Sequence, residues 1–441
     1  MIATVLSLTT YLRTRAYARR LRSGRLIAAS LSLTPIATAT AQRGVAELSG
    51  PSAVCEPHTT DVRRLVVDGA RVYVDPSSVV AQGGSVLVLG LPSYISRWDT
   101  NSGRWQVSRD SIFGALIRED GAWQAIPLPP RVRHPFAPRA APRADGSWDV
   151  VFLELPAVFD PQTSDSVVGI WHGRLNGTEW ASIERVIVPG EVQPRILQVS
   201  RLLRVGDTLT WAAPFGRGRA GGLDGTLVLE RRGEGWTWRT WTWRAVWVDL
   251  FADSLGRRRL LVSHANDESD SLALRMLTIS NPPRALASTN IVSSRRYHAS
   301  ALDHGRALVT FQVVPDDAEP FWRSATIDGQ AGTVRTTMLP GQFERASALG
   351  REWHRTMQHW VADSRTSESA QGSLVLLRKV AADSVVRTSM ANPFLMPSPL
   401  IEVSSHRFLM IGPAFAPHAS SEPPWTATLS VGVACRETSS R

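Results

Sequence analysis

One apolar segment recurs along this 441-residue chain at Ser85–Gly90, Trp148–Leu153, Thr208–Ala212, Arg259–Ser263, Ala307–Phe311, Met357–Val361 and Phe408–Gly412. The copies are roughly fifty to sixty residues apart, and each is rich in the Val, Leu, Ile, Thr, Phe or Trp that suit a pleated, buried surface. Before each lies another apolar run and a tight turn of Gly, Asp, Asn or Ser; after each, beyond a longer loop, comes a further apolar run. Those third runs are read at Ser166–Arg174, Thr226–Arg231, Ser271–Leu277, Phe321–Ile327, Ser373–Arg378 and Trp425–Val433. Helical apolar spacing is hard to find beyond the first forty or so residues, so the repeating unit is an antiparallel sheet of four strands.

Sheets of this period that stack on one another predict an all-β fold, a β-propeller of about seven four-stranded blades. The last unit runs out after its third strand near Cys435, while Arg63–Asp75 offers a strand ahead of the first unit. If that N-terminal strand completes the last blade, the ring closes and leaves no edge open to aggregation. Cys55 and Cys435 are the chain's two cysteines, and in an oxidising compartment they read as one disulfide that staples the closure. Chain entropy makes such a long loop worth about 5 kcal/mol at most. A two-domain β-sandwich is the competing architecture.

Export is expected from residues 1–41. Arg13, Arg15, Arg19, Arg20, Arg22 and Arg25 form a basic stretch, Leu26–Ile36 an apolar one, and Ala39-Thr40-Ala41 a small-x-small cleavage site. The apolar stretch is too short to span a bilayer. General secretion is favoured over the twin-arginine route despite the Arg19-Arg20 pair. Residues 42–441 then form a single periplasmic or extracellular domain, without a transmembrane segment and expected to be monomeric. The six leader arginines account for more than half of the +10 net charge, which leaves only +4 on the mature chain. That thin excess argues against nucleic acid as a partner.

Three turns carry a resemblance. Glu119-Asp120-Gly121-Ala122-Trp123, Asn176-Gly177-Thr178-Glu179-Trp180 and Gly233-Glu234-Gly235-Trp236 are similar to the Asp-box turns of exported bacterial β-propellers of the sialidase-like class. None has the full spacing, and in that family the box is structural. Sialidase chemistry would further require an arginine triad introduced by an Arg-Ile-Pro-like segment near the start, and that segment is missing, Pro194-Arg195-Ile196 having the wrong order. The resemblance therefore implies a fold and no chemistry.

In a propeller, the loops between blades and those between second and third strands share one face around the channel mouth. Here they bring Arg131, Arg133 and His134; Glu191 and Arg195; Trp247 and Asp249; Arg295, Arg296, Tyr297 and His298; and Glu344 with Arg345. Arg133, Arg195, Trp247, Arg296, Tyr297 and Glu344 are the ligand-binding candidates, since arginine forks suit carboxylate or phosphate. The same charges would equally serve as solvated loops or inter-blade ion pairs. His134 and His298, with Asp249 as partner, are the catalytic candidates, histidine being the base that titrates near neutrality. Asp267 and Asp270 lie in an acidic loop that is the best Ca²⁺ candidate; no zinc spacing occurs and no other cofactor is expected. Trp236 and Trp238 alternate with Trp241 and Trp243, placing the pairs on opposite faces, either as a glycan-stacking flank or as packing between blades. Hydrolase elbows, phosphate loops and dinucleotide fingerprints are absent. The expected function is a binding or interaction module whose small-molecule, glycan or protein ligand, an anionic glycan or peptide foremost, sits at the mouth. The alternative is a glycan-processing hydrolase or lyase that uses carboxylates and histidines of the same loops.

Overall fold

The computed structural model describes residues 58–59, 62–64, 78–90, 95–99, 104–107, 112–118, 122–156, 158–159, 167–189, 192–194, 199–216, 225–242, 245–253 and 255–265. Beyond these it describes 272–291, 294–301, 306–313, 321–338, 345–347, 353–359, 373–381, 384–391, 401–404, 407–413 and 428–434. Every regular element among them is a strand. No helix among the described residues is long and apolar enough to cross a membrane.

Seven antiparallel sheets of four or five strands follow one another along the described chain. Sheet I is Ser78–Gln82, Ser85–Leu89, Ile112–Ile117 and Trp123–Pro127; sheet II is Pro135–Pro142, Trp148–Glu154, Gly169–Asn176 and Glu179–Val186. Sheet III has an interrupted first strand, Gln193–Pro194 and Leu203–Val205, then Thr208–Gly216, Gly225–Arg232 and Gly235–Trp241. Sheet IV is Ala245–Ala252, Arg258–Ala265, Leu272–Thr278 and Ala285–Ile291; sheet V is Ser294–Ala301, Arg306–Val313, Phe321–Asp328 and Thr333–Met338. Sheet VI is Arg345–Ser347, Trp353–His359, Ser373–Ala381 and Ser384–Ala391.

Sheet VII joins the two ends of the described chain. Its own strands are Ile401–Ser404, Arg407–Pro413 and Thr428–Ala434, and the last of these pairs with His58–Thr59 and Val62–Arg64. Of the strand expected at Arg63–Asp75, Arg63 and Arg64 are in Val62–Arg64, and residues 65–77 lie outside the described set. Cys55 and Cys435 also lie outside it, three residues before and one residue after the ladder pair His58–Ala434.

First strands of successive sheets are neighbours. Ser78–Gln82 lies beside Pro135–Pro142, which lies beside Leu203–Val205, and the series continues through Ala245–Ala252, Ser294–Ala301 and Arg345–Ser347. Ser78–Gln82 also lies beside Ile401–Ser404 of sheet VII. The result is an all-β, propeller-like arrangement whose apolar cores occupy the seams between sheets.

Strand alternation explains how one strand serves two seams. In Trp148–Glu154, Trp148, Val150 and Phe152 pack with Leu87, Leu89 and Phe113 of sheet I, while Val151 and Leu153 pack with Leu209, Trp211 and Leu229 of sheet III. Ala212 and Val228 meet Val248, Leu250 and Leu260 in the next seam, and Phe251 and Leu261 meet Val309 and Phe311 in the one after. Burial on both faces is why the second strands read as unbroken apolar runs.

Of the three Asp-box-like segments, Asn176–Trp180 and Gly233–Trp236 run from the turn between third and fourth strands into the fourth strand, and their tryptophans reach back into the preceding seam; residues 119–121 of the first lie outside the described set. Trp180 packs on Phe113 and Phe152 with its indole N–H on the Pro127 carbonyl, and it occupies the space a Cβ at Gly173 would need. Trp236 stands edge-on to His172, ring centroids 5.4 Å apart. The alternation expected for the tryptophan run places Trp236 against the II–III core and Trp241 in the III–IV core, with Trp238 45% exposed; Trp243 lies outside the described residues.

A three-stranded sheet escaped the sequence reading. Ile95–Asp99 and Arg104–Val107, from the loop between second and third strands of sheet I, pair with Val158–Phe159 from the equivalent loop of sheet II. Its strands are too short and too broken by Ser, Asp and Gly to stand out from a loop.

Candidate functional site

The connection 128–134 leads into the first strand of sheet II, and the second strand ends beside it, with Glu154 opposite Pro135. Among the described residues, only two non-glycine positions have positive φ, Arg131 at 70° and Ala137 at 47°, and they bracket this entry into sheet II. Such backbone costs about 1–3 kcal/mol per residue and persists where surrounding structure over-determines it, a pattern that concentrates at ligand sites. The strain sets Arg133 and His134 over the end of Trp148–Glu154: the Leu155 amide donates to the His134 carbonyl at 3.0 Å, and the Arg133 amide donates to Glu154 Oε1 at 3.2 Å. Glu154 Oε2 accepts the Trp171 indole N–H at 2.9 Å.

The register of Pro135–Pro142 against Trp148–Glu154 shifts between Val151 and Leu153, next to Ala137. Equivalent shifts occur at the entries of sheets IV and V, between Ala245 and Trp247 and between Arg295 and Tyr297. Val246 and Arg296 are the extra residues there, and bulges of this kind re-aim strand ends at rims. Trp247, Arg296, Tyr297 and His298 therefore all sit at or next to a bulged entry of a first strand; the side chains of Arg296, Tyr297 and His298 are outside the described set. Arg195, in the interruption of the first strand of sheet III, and Glu344, just ahead of Arg345–Ser347, are likewise outside it. So are Asp267 and Asp270; among the described residues no three metal-ligating side chains cluster.

Asp249 is committed to packing. Its Oδ1 accepts the Arg201 amide and Nε at 3.1 and 3.0 Å and the Leu250 amide at 2.9 Å, and its Oδ2 accepts Arg201 Nη2 at 2.6 Å. His134 lies just ahead of the first strand of sheet II and Asp249 within the first strand of sheet IV, and the carboxylate at His134's loop is Glu154. Sequence reading missed Glu154 because it ends an apolar strand and belongs to no motif.

Other buried charges lie within the seams. Asp149, fully buried, accepts His172 Nε2 at 3.0 Å, Arg204 Nε at 2.9 Å from sheet III and Arg143 Nη1 at 3.3 Å. The other ring nitrogen of His172 meets Glu184 Oε1 at 2.9 Å, and Glu184 also receives Trp236 Nε1 at 3.0 Å and Arg231 at 3.3 Å. With a carboxylate at each nitrogen, the His172 ring is held at both ends, by Asp149 and by a Glu184 that also takes Trp236 and Arg231 of sheet III. Burial pulls the Asp149 carboxyl upward, but hydrogen bonds from His172 and Arg204 hold it below the usual range. In the next seam Glu230, also buried, is shared by Arg239 and by Arg258, which also donates to Thr210 at 2.7 Å.

The hydrogen bond from His172 holds Glu184 down at about 2, from an ordinary 4.5. A carboxyl lowered on folding contributes stability that is present above its unfolded value and disappears as pH falls through the folded one. Melting temperature is therefore expected to drop between pH 4.5 and about 2. In Glu184→Gln, which cannot titrate, the deficit relative to wild type narrows across that window; thermal scans at stepped pH that keep the deficit constant would refute the assignment.

No protein-family model matches the chain, and no curated protein gives a significant match. Among solved structures, the chain is similar to a protein of unknown function from Dyadobacter fermentans DSM 18053, at 12% identity and a TM-score of 0.46, over 69% of this chain and 95% of that one. It is also similar to the polysaccharide lyase Uly1, at 8% identity and 0.49 over 84% and 92% of the two chains. An ulvan lyase aligns at 8% identity and 0.46 over 87% and 96%.

Proposed function

We propose that the chain is an exported seven-bladed β-propeller, closed by its N-terminal strand and a Cys55–Cys435 disulfide, that binds a ligand at the face where the first strands enter. The strained Arg131–Ala137 entry carries the reading, because it spends conformational energy on presenting Arg133 and His134 beside Glu154. Closure is supported by the pairing of both N-terminal pieces with Thr428–Ala434 and by the neighbouring first strands of sheets I and VII. Arg195, Trp247, Arg296, Tyr297 and Glu344 complete the binding face, and the ligand is an anionic glycan or peptide.

Asp145, Asp149, Glu184 and Asp253 are all held below the ordinary carboxylate range, by a Ser147 hydrogen bond first in the case of Asp145, and are tied up in ion pairs, so none is offered as a general acid. If a lyase or hydrolase operates instead, Glu154, His134 and His298 are its candidates.

The test is a glycan and peptidoglycan-fragment array on oxidised protein from Gln42 onward, with mass spectrometry on each hit. Binding without turnover, weakened roughly tenfold or more by Arg133→Ala, is the expected result. Product formation on any hit would replace the binding reading with the enzymatic one.

A further inference from the structure

The ladder of sheet II lines up Glu154, Trp171 and Arg185 on one face. Glu154 is opposite Gly169, and Trp171 is opposite Arg185. This is the face turned to sheet I, since Phe152 and Trp171 pack in the I–II core. The three side chains form a continuous row across the loop end of the sheet, from the Arg133 entry outward.

Three observations mark the row as built for a ligand. Glycine at 169 is what makes it fit, because a Cβ there would lie 3.1 Å from Trp171 Nε1 and 3.2 Å from Arg185 Nε. Arg185 is exposed yet anchored, donating Nη2 to the Val168 carbonyl at 2.7 Å, and it makes no ion pair among the described residues. Val168 and Ile187, 48% and 73% exposed, are two of only four exposed large hydrophobics among the described residues, and both flank Gly169 and Arg185. An oriented guanidinium, a carboxylate with lone pairs beyond those used by Arg133 and Trp171, and exposed apolar groups complement different parts of an acidic sugar. Its carboxylate suits the planar fork, its hydroxyls donate to Glu154, and its C–H face covers the apolar edge.

We propose that Glu154, Trp171 and Arg185 form a saccharide subsite for a uronate-type ring at the loop end of the I–II seam. The subsite deepens the binding reading above, extending it radially from the Arg133 entry. Val158–Phe159 of the three-stranded sheet starts four residues after Glu154 and pairs with the loop from sheet I.

Calorimetric titration of the full mature chain with a short oligogalacturonate, a neutral oligogalactoside and oligoglutamate tests the assignment. Wild type is expected to bind the first and to prefer it to both others. Arg185→Ala weakens that binding roughly tenfold to a hundredfold, the range of a charge-assisted pair, and removes the preference over the neutral sugar. Gly169→Ala acts in the same direction by displacing Arg185, while Trp171→Phe, which keeps the ring and loses the N–H to Glu154, gives a smaller loss. Melting curves identify any variant that has merely lost its fold, and Arg185→Lys, an exposed exchange, then substitutes for it and is expected to fall between wild type and alanine. Loss on Arg133→Ala with no effect of Arg185→Ala overturns the subsite and leaves the entry reading standing; the reverse supports the subsite and overturns the entry. Preference for oligoglutamate, or no binding of oligogalacturonate, overturns the subsite.

Discussion

Asp149→Ala is expected to destabilise the protein by about 3–5 kcal/mol, the cost of stripping one partner from a buried charge cluster. The carboxylate is 0% exposed and is met by His172, Arg204 and Arg143, so its removal leaves two guanidinium groups and the imidazole without the anion they share. The loss falls at the seam of sheets II and III, because Arg204 comes from one sheet and the other groups from its neighbour. A urea titration should show a lower midpoint with little change in slope, the sign of lost stability rather than of a changed unfolded state. A loss below about 1 kcal/mol would mean that the cluster is solvated and worth no more than a surface pair. Asp149→Asn provides the graded comparison, since it keeps an acceptor oxygen and removes only the charge.

Phe152→Ala should cost a similar amount, about 3–5 kcal/mol, through a different mechanism. The ring is fully buried, edge-on to Phe113 with centroids 5.6 Å apart and to Trp180 at 6.0 Å. Phe113 belongs to sheet I, and Trp180 reaches the seam from the fourth strand of sheet II, so the cavity opens between sheets where neither can collapse alone. Phe152→Leu keeps much of the volume and should lose well under half as much. Equal losses for the two variants in the same urea titration would show that the site is not close-packed.

The two variants separate the forces that join neighbouring sheets. Apolar alternation supplies contact area in every described seam, whereas the charge clusters bridge II to III and III to IV with named partners on each side. Directional pairs of this kind fix the height of one sheet against the next, which apolar contact alone leaves loosely specified.

Much of the architecture was legible because the second strands of sheets I to V, whose burial is described, are buried on both faces. All seven apolar repeats coincide with strands in the second position of their sheets, and the third strands overlap their expected positions. Met357–Val361 overlaps Trp353–His359, but the strand begins four residues earlier, where alternating polar residues hid it. The candidate site was legible only as a set of loops. Arg133 and His134 were found because loop charges stand out; Glu154, Trp171 and Arg185 were missed because residues on three different strands become one row only once the ladder register is known. Asp249, expected as a partner for His134 or His298, is bonded instead to Arg201, 48 residues away in the chain, a pairing no local pattern displays.

What the sequence by itself determined is the all-β class, the repeating four-strand unit and the position of its second and third strands, since local alternation and turn chemistry decide which segments can be strands. Tertiary structure alone decided which charges are structural and which remain available. It also joined the loops of sheets I and II into a shared three-stranded sheet and strained the backbone at Arg131 and Ala137. The physical reason is range. Strand propensity acts between near neighbours, whereas ion pairs such as Arg204 with Asp149 and rows such as Glu154, Trp171 and Arg185 depend on where distant segments meet.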